Sequence, residues 1–209
     1  MKRLFVLAAL LMGCALIAGA CGGSETGSAV PSGWVTFEGE SISLALPDSF
    51  VGGDLGDPAV FAALEEAAAA NPNPGGAQVM GLTLRSLQSQ WEESGFELWM
   101  LGEADADGQM PVVQAGRGDM PANTSLEAWI EEYTAGFADH DWTVESVTED
   151  QAYVVERWEG TDWAVLRHWA FRAVGPYLYR VSCMFEDASN TALEAVFRQS
   201  AATIVVKEQ

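Results

Sequence analysis

Basic residues are scarce in this chain. Ten Lys and Arg stand against 30 Asp and Glu, a formal net charge of −20 over 209 residues. So acidic a chain repels polyanions, which argues against nucleic acid and against a bare anionic lipid surface as partners. Three Cys are too few for a disulfide scaffold or a tetrahedral zinc site. Only two His are present, and no G-x-S-x-G turn offers a nucleophilic Ser. Gly22-Gly23 and Gly52-Gly53 lack the Lys of a P-loop, and Gly116-Arg117-Gly118 is too short to cradle phosphate. No cofactor motif is visible and no cofactor is expected. What remains is apolar: 49% of residues are hydrophobic, with eight Trp and nine Phe. That content excludes a disordered acidic tail.

The only long apolar run is at the N-terminus. Met1-Lys2-Arg3 is a positive start, Leu4 to Ala18 is uninterrupted and apolar, and Ala18-Gly19-Ala20 is an A-x-A-like cleavage pattern. Cys21 follows, then the polar stretch Gly22 to Ser28. Seventeen residues between Arg3 and Cys21 lie at the lower limit for a membrane span, and no charged stop follows. Residues 1–20 therefore read as a leader that is removed. They resemble a bacterial lipoprotein signal peptide, whose Cys is diacylated on sulfur with palmitate-type chains and becomes the new N-terminus. Cys21 matches that acceptor, although Ala18 stands where the family usually has Leu. Cys14, in Leu11-Met12-Gly13-Cys14, has the expected Leu but leaves a very short apolar core. Ordinary secretory cleavage after Ala20 would leave Cys21 unmodified. At ~0.8 kcal/mol per buried CH₂, two acyl chains make a stable anchor where one is marginal. The mature chain would carry 8 basic and 30 acidic residues. It would be held at the outer face of the membrane by its lipid and not by charge.

Residues 21–33 read as a flexible tether and 34–209 as one domain, long enough to bury one sizeable core. Trp34–Phe37 and Ile42–Leu46 read as strands around Glu38-Gly39-Glu40. Asp57-Pro58 opens a helix that Asn71 to Gly76 stops, and a second helix is predicted from Met80 to about Glu93. Phe96–Leu101 and Val112–Ala115 read as strands. Thr124-Ser125-Leu126-Glu127 fits a capping box, and Leu126, Trp129, Ile130, Tyr133 and Phe137 form one apolar stripe after it. A meander follows: Trp142–Val147, Ala152–Trp158, Trp163–Ala173 and Tyr177–Phe185. A closing helix begins near Asn190-Thr191. The fold class is α+β, a central antiparallel sheet flanked by helices.

This layout resembles the PsbP-like domains. Phe37 and the run Ile42-Ser43-Leu44-Ala45-Leu46-Pro47-Asp48-Ser49-Phe50 look like the opening strand pair of that family, ending in Pro-x-x-aromatic. The Ser125-Leu126-Glu127 helix, the long meander and the closing helix are also similar. The resemblance covers roughly residues 34–206 and implies an α/β/α sandwich, with 54–95 as an insertion. The family includes photosystem accessory subunits, Ran-binding proteins and bacterial lipoproteins, which mostly bind partners. It has no shared catalytic centre, so no catalytic residue carries over.

Chemistry-bearing groups are few. His140 lies at a helix end and His168 within a strand, positions usual for structural His. Glu103, Asp105 and Asp107 alternate before Gly108 like the first half of a calcium loop, but position twelve is Gln114 instead of a bidentate Glu. A polar turn built on Asp107-Gly108 is the expectation. Cys183 reads as a small buried hydrophobe. Trp residues fill a core or line a cleft. Arg157, Arg167, Arg172 and Arg180 either pair with Glu156, Glu159 and Asp162 across strands or form a cationic spot that receives an anion. The expected role is a non-enzymatic, membrane-anchored module that binds a protein or envelope partner outside the cytoplasm. The alternative is a carrier of an apolar ligand such as a lipid, in a cleft between sheet and helices. A hydrolase using scattered acids ranks last.

Overall fold

The computed structural model describes residues 28–159, 164–185 and 191–207. Cys14, Cys21 and the leader lie outside these residues, as do Trp163 and Asp162. Among the described residues no helix is long and apolar enough to cross a membrane.

The chain is α+β. A seven-stranded antiparallel sheet has the order β3-β4-β5-β9-β8-β7-β6, with β3 Val51–Asp54, β4 Phe96–Leu101, β5 Val112–Asp119, β6 Asp141–Val147, β7 Gln151–Glu159, β8 Ala164–Val174 and β9 Tyr177–Phe185. A small sheet joins β1 (Trp34–Glu38), β2 (Ile42–Pro47) and β10 (Val205–Val206). The helices are α1 Pro58–Ala69, α2 Pro74–Ser94, α3 Leu126–Ala135 and α4 Thr191–Ala202.

Alternation along the strands sorts these elements into layers. On one face Leu98, Met100, Val113, Ala115, Val181, Cys183 and Phe185 pack against Ile42, Leu44 and Leu46 of β2 and Phe197 of α4. On the other, α1 and α2 cover Trp99, Leu101 and Val112 at the β4 end. Helix α3 covers Ala152, Val154, Trp169 and Phe171 at the β7 end. The middle of this second face lies between the two helix patches. The sandwich foreseen from the sequence thus has a second small sheet sharing a layer with α4. The layer is pinned by polar bonds: the Ala45 N–H donates to Thr203 Oγ1 at 2.8 Å, and Ser41 N–H donates to Glu97 Oε2 at 2.7 Å. Ser28 N–H donates to Ala202 O at 2.9 Å and Asp48 N–H to Gly33 O at 3.1 Å, so residues 28–33 of the expected tether are bound to the body.

Several boundaries differ from the sequence reading. Helix α2 starts at Pro74, not Met80, because Asn73 caps it by accepting from the N–H groups of Gly75 and Gly76, with Pro74 at the first helical position. The glycines read as a stop lie in its first turn. The cap of α3 is Ser125, which accepts from Ala128 N–H, and not Thr124, whose own N–H donates to Pro121 O. Helix α3 ends before Phe137, which is 43% exposed, so the stripe stops at Tyr133. Strand β3 has no hydrophobic signature. It holds Gly52 at φ +136° and Gly53 at φ +151°, and a Cβ on Gly52 would sit 2.1 Å from Trp99 O, so only Gly lets it reach β4.

His168 is buried in β8, shares a 2.9 Å hydrogen bond with Tyr153 through Nδ1, and stacks on Phe185. Burial holds its pKa below the ordinary 6.5, with Arg198 acting in the same direction and Glu194 and Glu145 opposing. The unfolded chain therefore binds the extra proton first. His168 contributes stability that is full above about pH 6.5 and is lost as pH falls from there towards its folded-state value. Thermal unfolding between pH 7 and 5 should show a fall in midpoint that His168→Gln flattens; an unchanged slope in the variant would contradict this. Truncation of the fully buried Phe197 to Ala should cost about 3–5 kcal/mol in urea unfolding, with the slope m retained.

Candidate functional site

The second face of the large sheet is apolar at both ends and polar between them. The register sets this out. Across one row lie Trp99, Gln114, Ser182, Trp169 and Val154; across the next, Leu101, Val112, Met184, Arg167, Glu156 and Trp142. A third row holds Gly116, Arg180, Phe171 and Ala152. Strand pairing alone therefore gathers Arg167, Arg180, Gln114, Ser182 and Glu156 between α2 and α3.

Glu156 is the hub of the β7 side. It is 3% exposed. Its Oε1 is 2.6 Å from His140 Nδ1, and its Oε2 accepts from Trp169 Nε1 at 2.8 Å and from Arg167 Nη1 at 3.5 Å. A carboxylate only accepts, so Nδ1 of His140 carries the proton. Both oxygens are thus engaged, which is what a buried carboxylate requires. The His140 ring lies flat on Trp158 at 4.9 Å. The Arg167 guanidinium stands over Trp158 and Trp169 at 5.0 and 5.2 Å, and burial lowers its pKa against the opposing pull of Glu156.

Arg180 forms the α2 side. Its Nη2 donates to Ser94 O at 2.9 Å, in the last turn of α2, and its guanidinium covers Phe96 at 4.6 Å. A cation is favourable at a helix C-terminus. Burial lowers its pKa as well. Tyr133 reaches in from α3; burial raises its pKa first, then the charge of Glu156, with Arg167 and Arg180 opposing. A cavity of about 520 Å³ opens beside α2, walled by Trp99, Leu87, Gln90 and Ser94, with Glu93 exposed on its rim.

The four meander arginines do not act together. Arg167 and Arg180 share this face. Arg157 makes a loose, exposed pair with Glu159 at 3.7 Å, and Arg172 donates to Ala201 O across the opposite face. Of the Trp residues, Trp99 and Trp169 are buried in the core, while Trp91, Trp129, Trp142 and Trp158 are only partly covered. Cys183 is buried in β9, and burial pushes its thiol far up.

Elsewhere, Asp105 Oδ1 accepts from the N–H groups of Asp107 and Gln109, and Asn71 and Asn73 donate to the carbonyls of Gly108 and Asp107. The stretch Glu103, Asp105, Asp107 is therefore a turn closed on itself, with Gly108 at φ +83°. Among the described residues no group of three His, Cys, Asp or Glu is placed to hold a metal. A cavity of about 960 Å³ is a broad hollow at the start of α3 lined by Glu127, Glu149 and Asp150 among others. A mostly apolar hollow near Pro72 and Met110 measures about 260 Å³.

No protein-family model and no curated protein matches the sequence. Among solved structures the chain is similar to a cyanobacterial PsbP from Synechocystis, at 10% identity and a TM-score of 0.43 over 91% of this chain and 99% of that one. It is also similar to LpqN of Mycobacterium tuberculosis, a protein described as involved in cell envelope biogenesis, at 7% identity and a TM-score of 0.45 over 84% of this chain and 91% of that one. Neither likeness says what this chain binds.

The hub gives a direct expectation. Replacing Glu156 by Ala leaves Arg167 half-buried without its carboxylate and strips Trp169 of its acceptor. Chemical denaturation should show a loss of roughly 3–5 kcal/mol, against well under 1 kcal/mol for the exposed Glu159→Ala. Equal small losses would mean that Glu156 is not the hub.

Proposed function

We propose that the chain is an extracytoplasmic lipoprotein, anchored through acyl chains on Cys21, whose body is a non-enzymatic binding module. The observation that carries this reading is the order of residues 1–21: two cations, an apolar run of leader length, small residues, then Cys. The body suits a tethered role. A net charge of −22 after leader removal keeps it off anionic headgroups, so the lipid alone holds it. On its surface the polar seam between α2 and α3 is the feature best built for recognition, with half-buried arginines, partly covered aromatics and a cavity within the size range of ligand sites. The hub carboxylate there is saturated by His140, Trp169 and Arg167, which favours holding a shape over moving a proton.

The apolar-carrier reading draws less support. The mostly apolar hollow near Pro72 and Met110, at about 260 Å³, falls below the usual range for a ligand pocket, and the hollow of about 960 Å³ has a wall as polar as it is apolar.

Native mass spectrometry of the detergent-solubilised mature protein reads acylation, copurified ligand and assembly together. A mass including diacylglycerol on a chain beginning at Cys21 is expected; an unprocessed or bare N-terminus would overturn the anchor. Cys21→Ala should move the protein from the membrane to the soluble fraction with an unchanged unfolding midpoint. Retention in the membrane fraction would point to Cys14 or to an uncleaved span.

A further inference from the structure

The most exposed large apolar side chains among the described residues are Val79, at 64%, and Leu82, at 55%, both on α2. They stand three residues apart and so share one side of the helix. Thr83, Ser86, Gln90 and Glu93 continue that side towards the C-terminus, where they wall the 520 Å³ cavity together with the buried Leu87 and Trp99. The outer side of α2 thus carries two apolar knobs in its first half and a groove beside its second.

Acid is missing from the same place. Residues 67–91 contain no Asp or Glu, the longest such stretch after Glu25, and a single cation, Arg85. Glu92 and Glu93 follow at the end of the helix. None of these three charged side chains makes an ion pair among the described residues. Arg85 and Glu92 are seven residues apart, two helical turns, so they lie on one line along the helix about 10 Å from each other.

One symmetry operation satisfies all of these features. A two-fold axis across α2 near Ser89 sets the helices of two copies antiparallel. The knobs of each copy then face the groove of the other, and Arg85 of each faces Glu92 of the other. Such self-complementarity is what an isologous contact requires. At a net charge of −20 two copies repel, and the acid-free side of α2 is where they approach at least cost. A bilayer suits this side less well. The described chain enters the body at Ser28, which is bound to Ala202 at the end of α4, in the layer across the large sheet from α2.

We propose that the outer side of α2 is a self-association surface that takes a second copy of this chain, helix against helix and antiparallel. This goes beyond the binding-module reading and does not depend on the anchor. One helix pair is a small interface, so the dimer is weak, with a dissociation constant on the order of 10–100 micromolar.

Sedimentation velocity of the full chain in dodecyl maltoside tests this, from micromolar to hundreds of micromolar, at physiological ionic strength, where distant acids are screened. The protein mass should rise from monomer to dimer. Leu82→Glu should weaken association by about tenfold or more. Arg85→Glu should weaken it by about fivefold. Arg85→Glu combined with Glu92→Arg leaves the net charge unchanged and should restore association to within about threefold of the original. Val79, Leu82, Arg85 and Glu92 are all exposed, so unfolding midpoints should not move. Ser89→Cys should join two copies through a short bismaleimide, whereas Gln199→Cys, exposed on α4, should not. A monomer throughout the range, a dimer indifferent to Leu82→Glu, or no rescue by the charge swap would overturn the proposal. So would flotation of the Cys21→Ala chain on vesicles of phosphatidylcholine and phosphatidylglycerol that Leu82→Glu abolishes, which would make the occupant a bilayer.

Discussion

Eight residue pairs join β5 to β9, Val112 with Met184 through Asp119 with Tyr177, and they hold the two halves of the molecule together. Everything from α3 through the meander lies between these two strands in sequence. Their pairing returns the end of the meander to the first half of the chain, so that α1, α2 and β3–β5 share a sheet with β6–β9. Antiparallel pairing transmits side-chain alternation from strand to strand. A slip of one residue would turn Arg180 and Ser182 into the apolar layer of α4 and β2, and Val181 and Cys183 out of it. The register of that one ladder therefore decides both the core and the polar seam.

On the seam, two arginines are handled in two ways. Arg167 is matched by Glu156, which is also bound by His140 and Trp169, so that charge and hydrogen bonds close among protein groups. Arg180 meets a helix end and an aromatic face, which offset its burial without neutralising it. One face of the sheet thus holds an arginine paired with a carboxylate and another met by a helix end. Arg198 does comparable structural work on the far side, where it bonds Glu145 of the edge strand β6 and Glu194 of its own helix, and the bond to Glu145 first of all raises its pKa.

Much of the fold was legible because its periods are clean. The strand read at Tyr177–Phe185 is β9 with both boundaries, and the closing helix read from near Asn190-Thr191 is α4, with Leu193, Val196 and Phe197 packed inward. Asp57-Pro58 announced α1 through cap chemistry that is local. The misses were places where distant chain supplied the reason. Strand β3 is read from Gly52-Gly53 only once β4 is known to lie against it. The early start of α2 depends on Asn73, and its companion Asn71 is oriented by Gly108, 37 residues away.

The candidate site was half legible. Sequence placed four arginines in the meander beside acids and left pairing and anion capture both open, since nothing local says which side chains share a face across strands. Net charge, the α+β class and the strand alternation are properties of composition and short spacing, and the sequence by itself determined them. Tertiary structure alone decided that Arg167 would find Glu156 and that Arg180 would find no carboxylate among the described residues. Those outcomes depend on register between strands far apart in sequence and on where α2 ends above the sheet, and no local pattern of residues encodes either.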